Sequence, residues 1–357
     1  MKCGTFRVLF SILFFAQVTI AEMPDPGPLR IGGILILSGL GAQYGTHALQ
    51  GATLALEDIN RSGGIRGRKL EVLWEDETGG RAERAVAAYR KLVSSDKVSF
   101  IFGPTFQDGM MALAPLLRRD GVFLVTPATP RLGLPGVFST WTDPDGETAE
   151  MAKLVHRRHS RVAVLSGQQS WEQLAAKKFI EAFEGLGGTI CDHEEPLITT
   201  SSVRTEVLKA RASKPEAFFI SSFTLFSLYA REIRNQGMKV PLFTIEADSS
   251  LLENADGKGE GTISIGPSAP ESEFSRSYRS RYKVDPDIPS WQAYDAMMLL
   301  AKALRATDGT PRSVEKYFDE LAEYDGASGL IRSKGGVVSV STAFFEAKAG
   351  KFLRVSQ

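Results

Sequence analysis

The sequence predicts an α/β protein made of two successive units, each with a parallel sheet covered by helices. From residue 29 onward, apolar runs of strand length alternate with segments of helical periodicity, which is typical of sheets whose crossovers are helices. The alternation restarts near residue 161, after four predicted strands. The chain has 357 residues, 43% of them hydrophobic, and is therefore long enough to fill two cores.

The first unit is predicted to hold four strands and three helices. Its strands are short apolar runs bounded by turn residues, and each helix carries its apolar residues on one side. The strands are expected at 29–37, 69–74, 98–102 and 122–125, and the helices at 46–61, 81–94 and 108–119.

The second unit repeats the pattern, and no low-complexity linker separates it from the first. Strands are expected at 161–165, 189–194, 217–220 and 242–245, and helices at 171–185, 203–211, 225–236 and 289–306. The closing stretch, 329–355, indicates short strands with a turn at Gly335-Gly336. Open parallel sheets bind ligands beyond the carboxyl ends of their strands, so we expect the site in a crevice between the units.

The N-terminal 21 residues have the pattern of a secretory signal peptide. Lys2 and Arg7 precede an apolar stretch at 8–20, and 19–21 offers a cleavage site after Ala21. The alternative is an uncleaved membrane anchor, for which the apolar stretch is short. The pattern predicts export to the periplasm.

Charge and cysteine content exclude several classes of protein. Lys plus Arg and Asp plus Glu both number 42, and no basic run occurs, so nucleic acid is not an expected partner. The two cysteines are Cys3 and Cys191, and cleavage would remove the first, which excludes an intramolecular disulfide. Cys191 is expected to be a half-buried structural residue.

Two glycine-rich segments resemble nucleotide-binding loops without completing either pattern. Segment 39–45 follows a strand and precedes a helix, as a dinucleotide fingerprint does, but the acidic residues Glu75 and Asp76 follow too late. Segment 61–69 lacks the Gly-Lys-Ser/Thr ending of a phosphate loop. We therefore expect no cofactor, and interpret 39–45 as a flexible loop at the crevice.

The sequence offers no catalytic or metal-binding constellation. His156 and His159 could share a helix face and hold a metal, but no third ligand lies nearby in the sequence, and a solvated basic helix end is the favoured interpretation. Neither a Ser-His-Asp set nor an HExxH motif is recognisable. The sequence therefore predicts a binding protein without a metal and not an enzyme.

Segment 56–70, Leu-Glu-Asp-Ile-Asn-Arg-Ser-Gly-Gly-Ile-Arg-Gly-Arg-Lys-Leu, resembles a marker of the leucine/isoleucine/valine-binding proteins. Segments 29–45 and 121–129 resemble the same family, and the similarity extends over nearly all of the chain after residue 21. It implies a type I periplasmic binding protein, whose two Rossmann-like lobes are joined by a three-segment hinge. The lobes would comprise 29–141 plus 268–326, and 142–267 plus 327–357.

The resemblance also implies a function and a set of ligand-binding residues. Members capture an amino acid or a related small molecule between the lobes and usually deliver it to a membrane ABC permease. Carried onto this chain, Tyr44 faces the ligand, and Ala128 and Thr129 hold its carboxylate. The turn ahead of the helix at 108, with Gln107 and Asp108, cradles the same carboxylate, and Glu246 pairs with the ligand ammonium.

Each of these residues also has a structural interpretation. Tyr44 could pack beside its loop, Thr129 could cap a turn, Asp108 could be the N-cap of its helix, and Glu246 could be a solvated acid. Asp108 would repel a carboxylate if it faced inward.

Several positions depart from the family pattern and leave the ligand open. Gln107-Asp108 replaces a small hydroxyl residue, Ser170-Trp171 stands where Tyr-Gly is common, and Ser222, beside Phe223, occupies a ligand-facing aromatic position. Trp171 and Phe223 could line a pocket for an aromatic or amide ligand. The expected ligand is thus an amino acid or a related small carboxylate or amide; a periplasmic sensor of the same fold and, less favoured, an exported enzyme are the alternatives.

Overall fold

The computed structural model describes residue 1 and residues 27–130, 133–142, 144–334 and 337–355. The predicted signal peptide, apart from Met1, and the predicted turn at Gly335-Gly336 lie outside the described residues. Within the described ranges, no helix is long and apolar enough to cross a membrane.

The first lobe begins with alternating strands and helices, as the sequence predicts. Its elements are β1 (Leu29–Leu35), α1 (Ala42–Arg61), β2 (Leu70–Asp76), α2 (Ala82–Arg90) with a π-helical turn at Lys91–Ser95, β3 (Phe100–Phe102), α3 (Gln107–Asp120), β4 (Phe123–Thr126) and β5 (Val137–Ser139).

The second lobe follows with the same alternation. Its elements are α4 (Pro144–His156), β6 (Arg161–Leu165), α5 (Ser170–Gly185), β7 (Thr189–Glu194), α6 (Arg204–Ala212), β8 (Ala217–Ile220), α7 (Phe226–Asn235), β9 (Leu242–Ile245), α8 (Ser250–Glu253) and β10 (Ile263–Pro267).

The remaining elements return to the first lobe and then cross again. They are α9 (Glu273–Tyr282), α10 (Ser290–Ala306), α11 (Pro311–Asp319), β11 (Glu323–Gly326), β12 (Gly329–Lys334), β13 (Val337–Val340), β14 (Thr342–Lys348) and β15 (Lys351–Arg354).

The two main sheets each have a strand-order reversal that opens toward the other lobe. The first sheet is parallel with the order β2-β1-β3-β4-β5. The second has the order β15-β14-β10-β9-β8-β6-β7, in which β14 runs antiparallel to both of its neighbours, β10 and β15. The order reverses beside β1 in one sheet and beside β6 in the other, which are the switch points where such sheets bind ligands. The predicted fold class is confirmed.

The packing indicates where the chain crosses between lobes. Ile331, Val338 and Val340 belong to the core beneath α1 and α10, whereas β14 and β15 join the second sheet. Asp295 of α10 fixes the turn between β11 and β12, accepting hydrogen bonds from the Ala327 and Ser328 amides at 2.7 and 2.8 Å. Residues 329–340 thus pack on the first lobe and the chain joins the second sheet at β14, while the division of the lobes at 326/327 stays a prediction.

Seven elements that the sequence analysis omitted complete the fold: β5, α4, α8, β10, α9, α11 and β11. α9 has few apolar positions, and its buried side chains are Phe274, Ser275 and Tyr278. α11 buries only Val314 and Phe318, although Phe318 stacks on Phe138 with ring centroids 4.2 Å apart. Short segments with two or three buried residues give a weak periodic signal.

Candidate functional site

A cavity lies between the lobes, at the carboxyl ends of both sheets. The first lobe contributes residues that follow β1, β3, β4 and β5, and the second contributes residues that follow β6 and β8. The cavity has about 480 Å³ of empty space, part of it at the mouth, and eleven residues surround it: Tyr44, Thr105, Phe106, Gln107, Ala128, Trp141, Gln169, Trp171, Glu172, Phe223 and Thr224.

Five of these residues are aromatic, and they come from both lobes. Tyr44 of the first lobe meets Phe223 of the second edge to face, with ring centroids 5.8 Å apart. The indole nitrogens of Trp141 and Trp171 and the hydroxyl of Tyr44 are buried without a hydrogen-bond partner among the described residues. The walls are therefore mostly apolar, and the Tyr44 hydroxyl and the Trp141 indole each lie near a buried carboxyl, Asp248 and Glu246 respectively.

Two helices begin at the cavity. α3 starts at Gln107, and no side chain caps its first amides, because the preceding residue is Phe106. α5 starts at Ser170 and is capped by the side chain of Gln169, which accepts hydrogen bonds from the amides of Trp171 and Glu172. The uncapped end of α3 presents free amides and a positive dipole end, an arrangement that favours an anion.

Asp108 is directed away from the cavity and across the cleft. Its Oδ1 accepts a short hydrogen bond from the Ser170 hydroxyl of the second lobe. The interpretation of Asp108 as an N-cap is wrong, since it lies in the first turn of α3 after the N-cap Phe106. The contact joins the first turns of α3 and α5 and holds the lobes in a closed arrangement.

Each lobe uses a buried glutamate to hold a turn that carries a cavity residue. In the first lobe, Glu77 accepts a hydrogen bond from the Thr105 amide at 2.7 Å, and Thr105 Oγ1 accepts one from the Ile36 amide at 3.0 Å. Burial raises the pKa of Glu77 to about 8, so the carboxyl is mainly protonated at neutral pH. This bond fixes the segment that presents Phe106 and Gln107.

In the second lobe, Glu172 plays the corresponding part. Its Oε1 accepts hydrogen bonds from the amides of Phe223 and Thr224 at 3.0 and 3.1 Å and from the Thr224 hydroxyl at 3.0 Å. Burial raises the pKa of Glu172, and the hydrogen bonds from this turn oppose the rise. Glu172 therefore orients the Phe223 ring toward the cavity.

Glu246 lies near the cavity but not among the residues that surround it. It is 1% exposed, has a left-handed backbone (φ 49°), and faces the equally buried Glu147 of α4. The oxygens of both carboxyls lack a well-formed hydrogen bond to any of the described residues. Burial, followed by the Glu147 charge, raises the pKa of Glu246 well above its ordinary value, while the neighbouring Trp141 opposes the rise.

The other sequence-predicted residues fall into two groups. Tyr44, Gln107, Ala128, Trp171 and Phe223 surround the cavity. Thr129 and Ser222 do not: Thr129 is 2% exposed with its hydroxyl unpaired among the described residues, and the Ser222 hydroxyl accepts a hydrogen bond from the Leu225 amide at 3.0 Å. Ser222 thus stabilises the turn before α7.

The remaining motifs of the sequence have structural explanations. α4 ends at His156, so His159 lies beyond the helix, and no cluster of His, Cys, Asp or Glu suited to a metal occurs in the described ranges. In the glycine-rich loop, Gly39 and Gly41 have φ values of 82° and 84° and lead into the cavity wall at Tyr44. Cys191 is half-buried with a free thiol, as expected.

The sequence analysis missed Thr105, Phe106, Trp141, Gln169, Glu172 and Thr224 as residues around the cavity. A usable signal existed for Phe106 and Gln169, because each lies between a predicted strand and a predicted helix, two residues before the helix. Trp141 follows β5, a three-residue strand that the pattern did not reveal.

Comparison with known proteins identifies the family. A family model described as periplasmic binding protein matches residues 28–351. The chain is 26% identical over 242 residues to Leu/Ile/Val-binding protein homolog 3 of Brucella melitensis, covering 65% of each protein, and 24% identical over 322 residues to the Leu/Ile/Val-binding protein of Escherichia coli K12, covering 85% of each.

Solved structures show the same fold. LivJ from Streptococcus pneumoniae in complex with isoleucine aligns with a TM-score of 0.83 and 20% identity, covering 92% of this chain and 99% of that one. A solute-binding protein from R. palustris in complex with benzoate aligns with a TM-score of 0.81 and 19% identity, covering 92% and 96%. The chain therefore belongs to the periplasmic binding protein family and is a solute-binding protein, not an enzyme.

Proposed function

We propose that this chain is the periplasmic solute-binding component of an ABC importer and captures a small carboxylate with a flat, apolar body. The observation that carries the proposal is the cavity between the lobes, which is walled by five aromatic side chains and meets the uncapped N-terminus of α3. Aromatic walls and an anion-binding helix end together match an aromatic or similarly flat carboxylic acid.

The carboxylate would be bound without a basic side chain. None of the eleven residues around the cavity is Lys, Arg or His. The first amides of α3, the side chain of Gln107 and the nearby segment at Ala128 supply the donors that a buried anion requires. Asp108 does not oppose this role, because its carboxylate is engaged with Ser170.

The body of the ligand would lie between the rings of Tyr44, Trp171 and Phe223. Because these rings come from both lobes, a ligand between them contacts both and favours closure over the open form. The benzoate complex of the R. palustris protein supports this ligand class.

An amino acid is the second candidate, supported by the isoleucine complex of LivJ and by the names of the curated relatives. It would need an acidic partner for its ammonium group, and Glu246 is the predicted one. Glu246 faces Glu147 outside the residues that surround the cavity, and the acid that does line it, Glu172, is engaged by the turn at Phe223 and Thr224, so the geometry favours a ligand without an ammonium group.

Export and delivery to a permease rest on different support. The N-terminal pattern predicts a signal peptide, and the family consists of periplasmic binding proteins. One relative of the same fold is described as the substrate-binding protein of a branched-chain amino acid transporter.

The first test identifies the ligand directly. Mass spectrometry of small molecules released from freshly purified, denatured protein should reveal an aromatic or flat carboxylate. Calorimetric titration with benzoate, L-phenylalanine and L-isoleucine should then give binding of benzoate. Binding of L-isoleucine alone would overturn the proposed ligand class and restore the amino-acid assignment.

A matched pair of variants ties binding to the cavity. Trp171→Phe removes part of a ring that lines it, and should weaken ligand binding by about 1 kcal/mol. Trp74→Phe changes a tryptophan that packs on Phe102 within the first lobe and should leave affinity unchanged. Equal effects of the two substitutions would contradict the placement of the ligand.

A further inference from the structure

We propose that closure of the two lobes takes up a proton at Asp287, a partly buried aspartate of the first lobe that meets the fully buried Asp248 of the second lobe across the cleft. The proposal goes beyond ligand capture and does not depend on the ligand's identity. It makes closure, and with it retention of any ligand, more favourable as the pH falls.

The two aspartates are joined by contacts that exist only while the lobes are closed. Asp287 precedes α10, which packs on α1 of the first lobe, whereas Asp248 and Ser249 follow β9 in the second. Asp287 Oδ2 accepts a hydrogen bond from the Ser249 amide at 2.9 Å. Asp248 is fully buried, with Oδ1 bound to the Ser250 amide and Oδ2 unpaired among the described residues.

The imidazole of His47 lowers the pKa of Asp287, but by less than burial and the Asp248 charge raise it, and no Lys or Arg pairs with either aspartate among the described residues. The groups that face Asp287 are Asp248 across the cleft, His47 and Tyr44 of α1, and Tyr278 of α9. His47 Nδ1 lies 2.9 Å from the Ile288 carbonyl oxygen. The nearby basic side chains, Arg279 and Lys351, pair with the exposed Asp285 instead.

The pair also touches the ligand cavity. The hydroxyl of Tyr44 lies beside Asp248, and the ring of Tyr44 lines the cavity and meets Phe223. A ligand that holds Tyr44 against Phe223 therefore holds the aspartates together. Glu147 and Glu246 differ in this respect, because both belong to the second lobe and stay paired when the lobes open.

The pKa of Asp287 is higher in the closed form than its ordinary value, which determines how closure depends on pH. In the closed form, burial and then the Asp248 charge raise the pKa of Asp287 from 3.8 to about 6. Opening removes Asp248 and exposes the carboxyl, so its pKa returns toward the ordinary value. The closed form thus binds the proton more tightly than the open form. The ratio of closed to open protein rises as the pH falls through 6 and is about tenfold higher at pH 5 than at pH 7.5.

The experiment compares Asp287 in locked and unlocked protein. Asp108→Cys and Ser170→Cys, introduced with Cys191→Ser into the full mature chain, place two thiols where the lobes touch, and the thiol oxidant diamide joins them by a disulfide crosslink in the closed form, taking up the two electrons and two protons that the thiols lose. The carboxyl ¹³C signals of aspartate are then titrated in the crosslinked and uncrosslinked protein. Asp287→Asn identifies the signal, and Asp285→Asn is the matched control two residues away.

The expected result is one aspartate signal with a midpoint near 6 in the crosslinked protein. The signal should be absent from Asp287→Asn, present in Asp285→Asn, and shifted below 5 without the crosslink. Asp248→Asn is a second variant, which retains Asp287 and removes its charged neighbour. It should lower the titration midpoint of Asp287 in the crosslinked protein. The proposal is overturned if every aspartate of the locked protein titrates below 5, or if the midpoint near 6 persists without the crosslink.

Discussion

Replacing Glu147 with glutamine should stabilise the fold at neutral pH. Glu147 is 1% exposed, faces Glu246 and has no cationic partner among the described residues. Burial raises its pKa from 4.5 to about 8, so folding at pH 7 requires the carboxyl to gain a proton that the unfolded chain does not hold. Glutamine has nearly the same shape and needs no proton.

The magnitude follows from proton linkage. A pKa raised in the folded state contributes stability that is complete below pH 4.5 and is lost as the pH rises through 8. Between pH 4.5 and pH 7, about 2.5 pH units, the stability lost is roughly 3 kcal/mol. This value is an upper bound, because Glu246 can hold the shared proton instead of Glu147. Glu147→Gln should recover up to that amount at pH 7 and nothing near pH 4.5.

Urea unfolding followed by tryptophan fluorescence at pH 4.5, 7 and 8 measures the effect. Glu150→Gln is the matched control, since Glu150 is an exposed residue of the same helix and should change the unfolding free energy by less than about 0.5 kcal/mol. The reasoning is refuted if Glu147→Gln is no more stable than wild type at pH 7, or if both show the same loss of stability between pH 4.5 and 8.

Three further predictions concern the site and its frame. Glu246→Gln should leave benzoate affinity unchanged in calorimetry; a tenfold or greater loss of L-isoleucine affinity would instead place an ammonium group at Glu246. Gly45→Ala should lower the melting temperature through a loss of about 1–3 kcal/mol, because a Cβ there would lie 1.8 Å from the Ile36 carbonyl oxygen, whereas Gly146→Ala, with open space around it, should not. Glu172→Ala should weaken ligand binding, as measured by calorimetry, because it frees the turn at Phe223. Glu172→Gln should retain most of the affinity, since an amide oxygen still accepts the turn's N–H groups. Equal losses of affinity in the two variants would contradict a role of Glu172 in positioning Phe223.

The sequence predicted the sheet strands well because they are buried on both faces. Arg161–Leu165, Ala217–Ile220 and Leu242–Ile245 have the bounds that their apolar runs indicate, whereas the half-exposed edge strand Thr189–Glu194 has its predicted bounds without such a run. The start of α1 was placed four residues late, because Ala42 to Gly45 looks like loop sequence. Gly45 is helical there and packs against the backbone of Ile36.

The site was harder to predict, because loop conformation decides where its side chains point. Motif matching found Tyr44, Trp171 and Phe223, which surround the cavity, but could not show that Asp108 turns toward Ser170. Glu246 faces Glu147, 99 positions earlier in the chain, and its backbone has a φ of 49° that no local pattern indicates. Such pairings depend on contacts between distant segments.

The buried acids of this chain gather where the lobes meet. Glu77, Glu172 and Asp295 each accept backbone N–H groups, so their burial fixes a turn. Glu147 with Glu246 and Asp248 with Asp287 are different, because each pair places two carboxyls together without a Lys or Arg partner among the described residues, although His47 faces Asp287. A core selected for stability alone would avoid such pairs, since burying a carboxylate without a cationic partner costs several kcal/mol.

Their location explains how such pairs can persist. Both lie beside residues that surround the cavity, Trp141 and Tyr44, where the carboxyl ends of parallel strands leave polar groups at the crevice. A pair within one lobe changes only the stability of that lobe with pH. A pair divided between the lobes changes the balance between open and closed forms. Protonation at Asp248–Asp287 therefore affects ligand retention, whereas protonation at Glu147–Glu246 affects the stability of the fold.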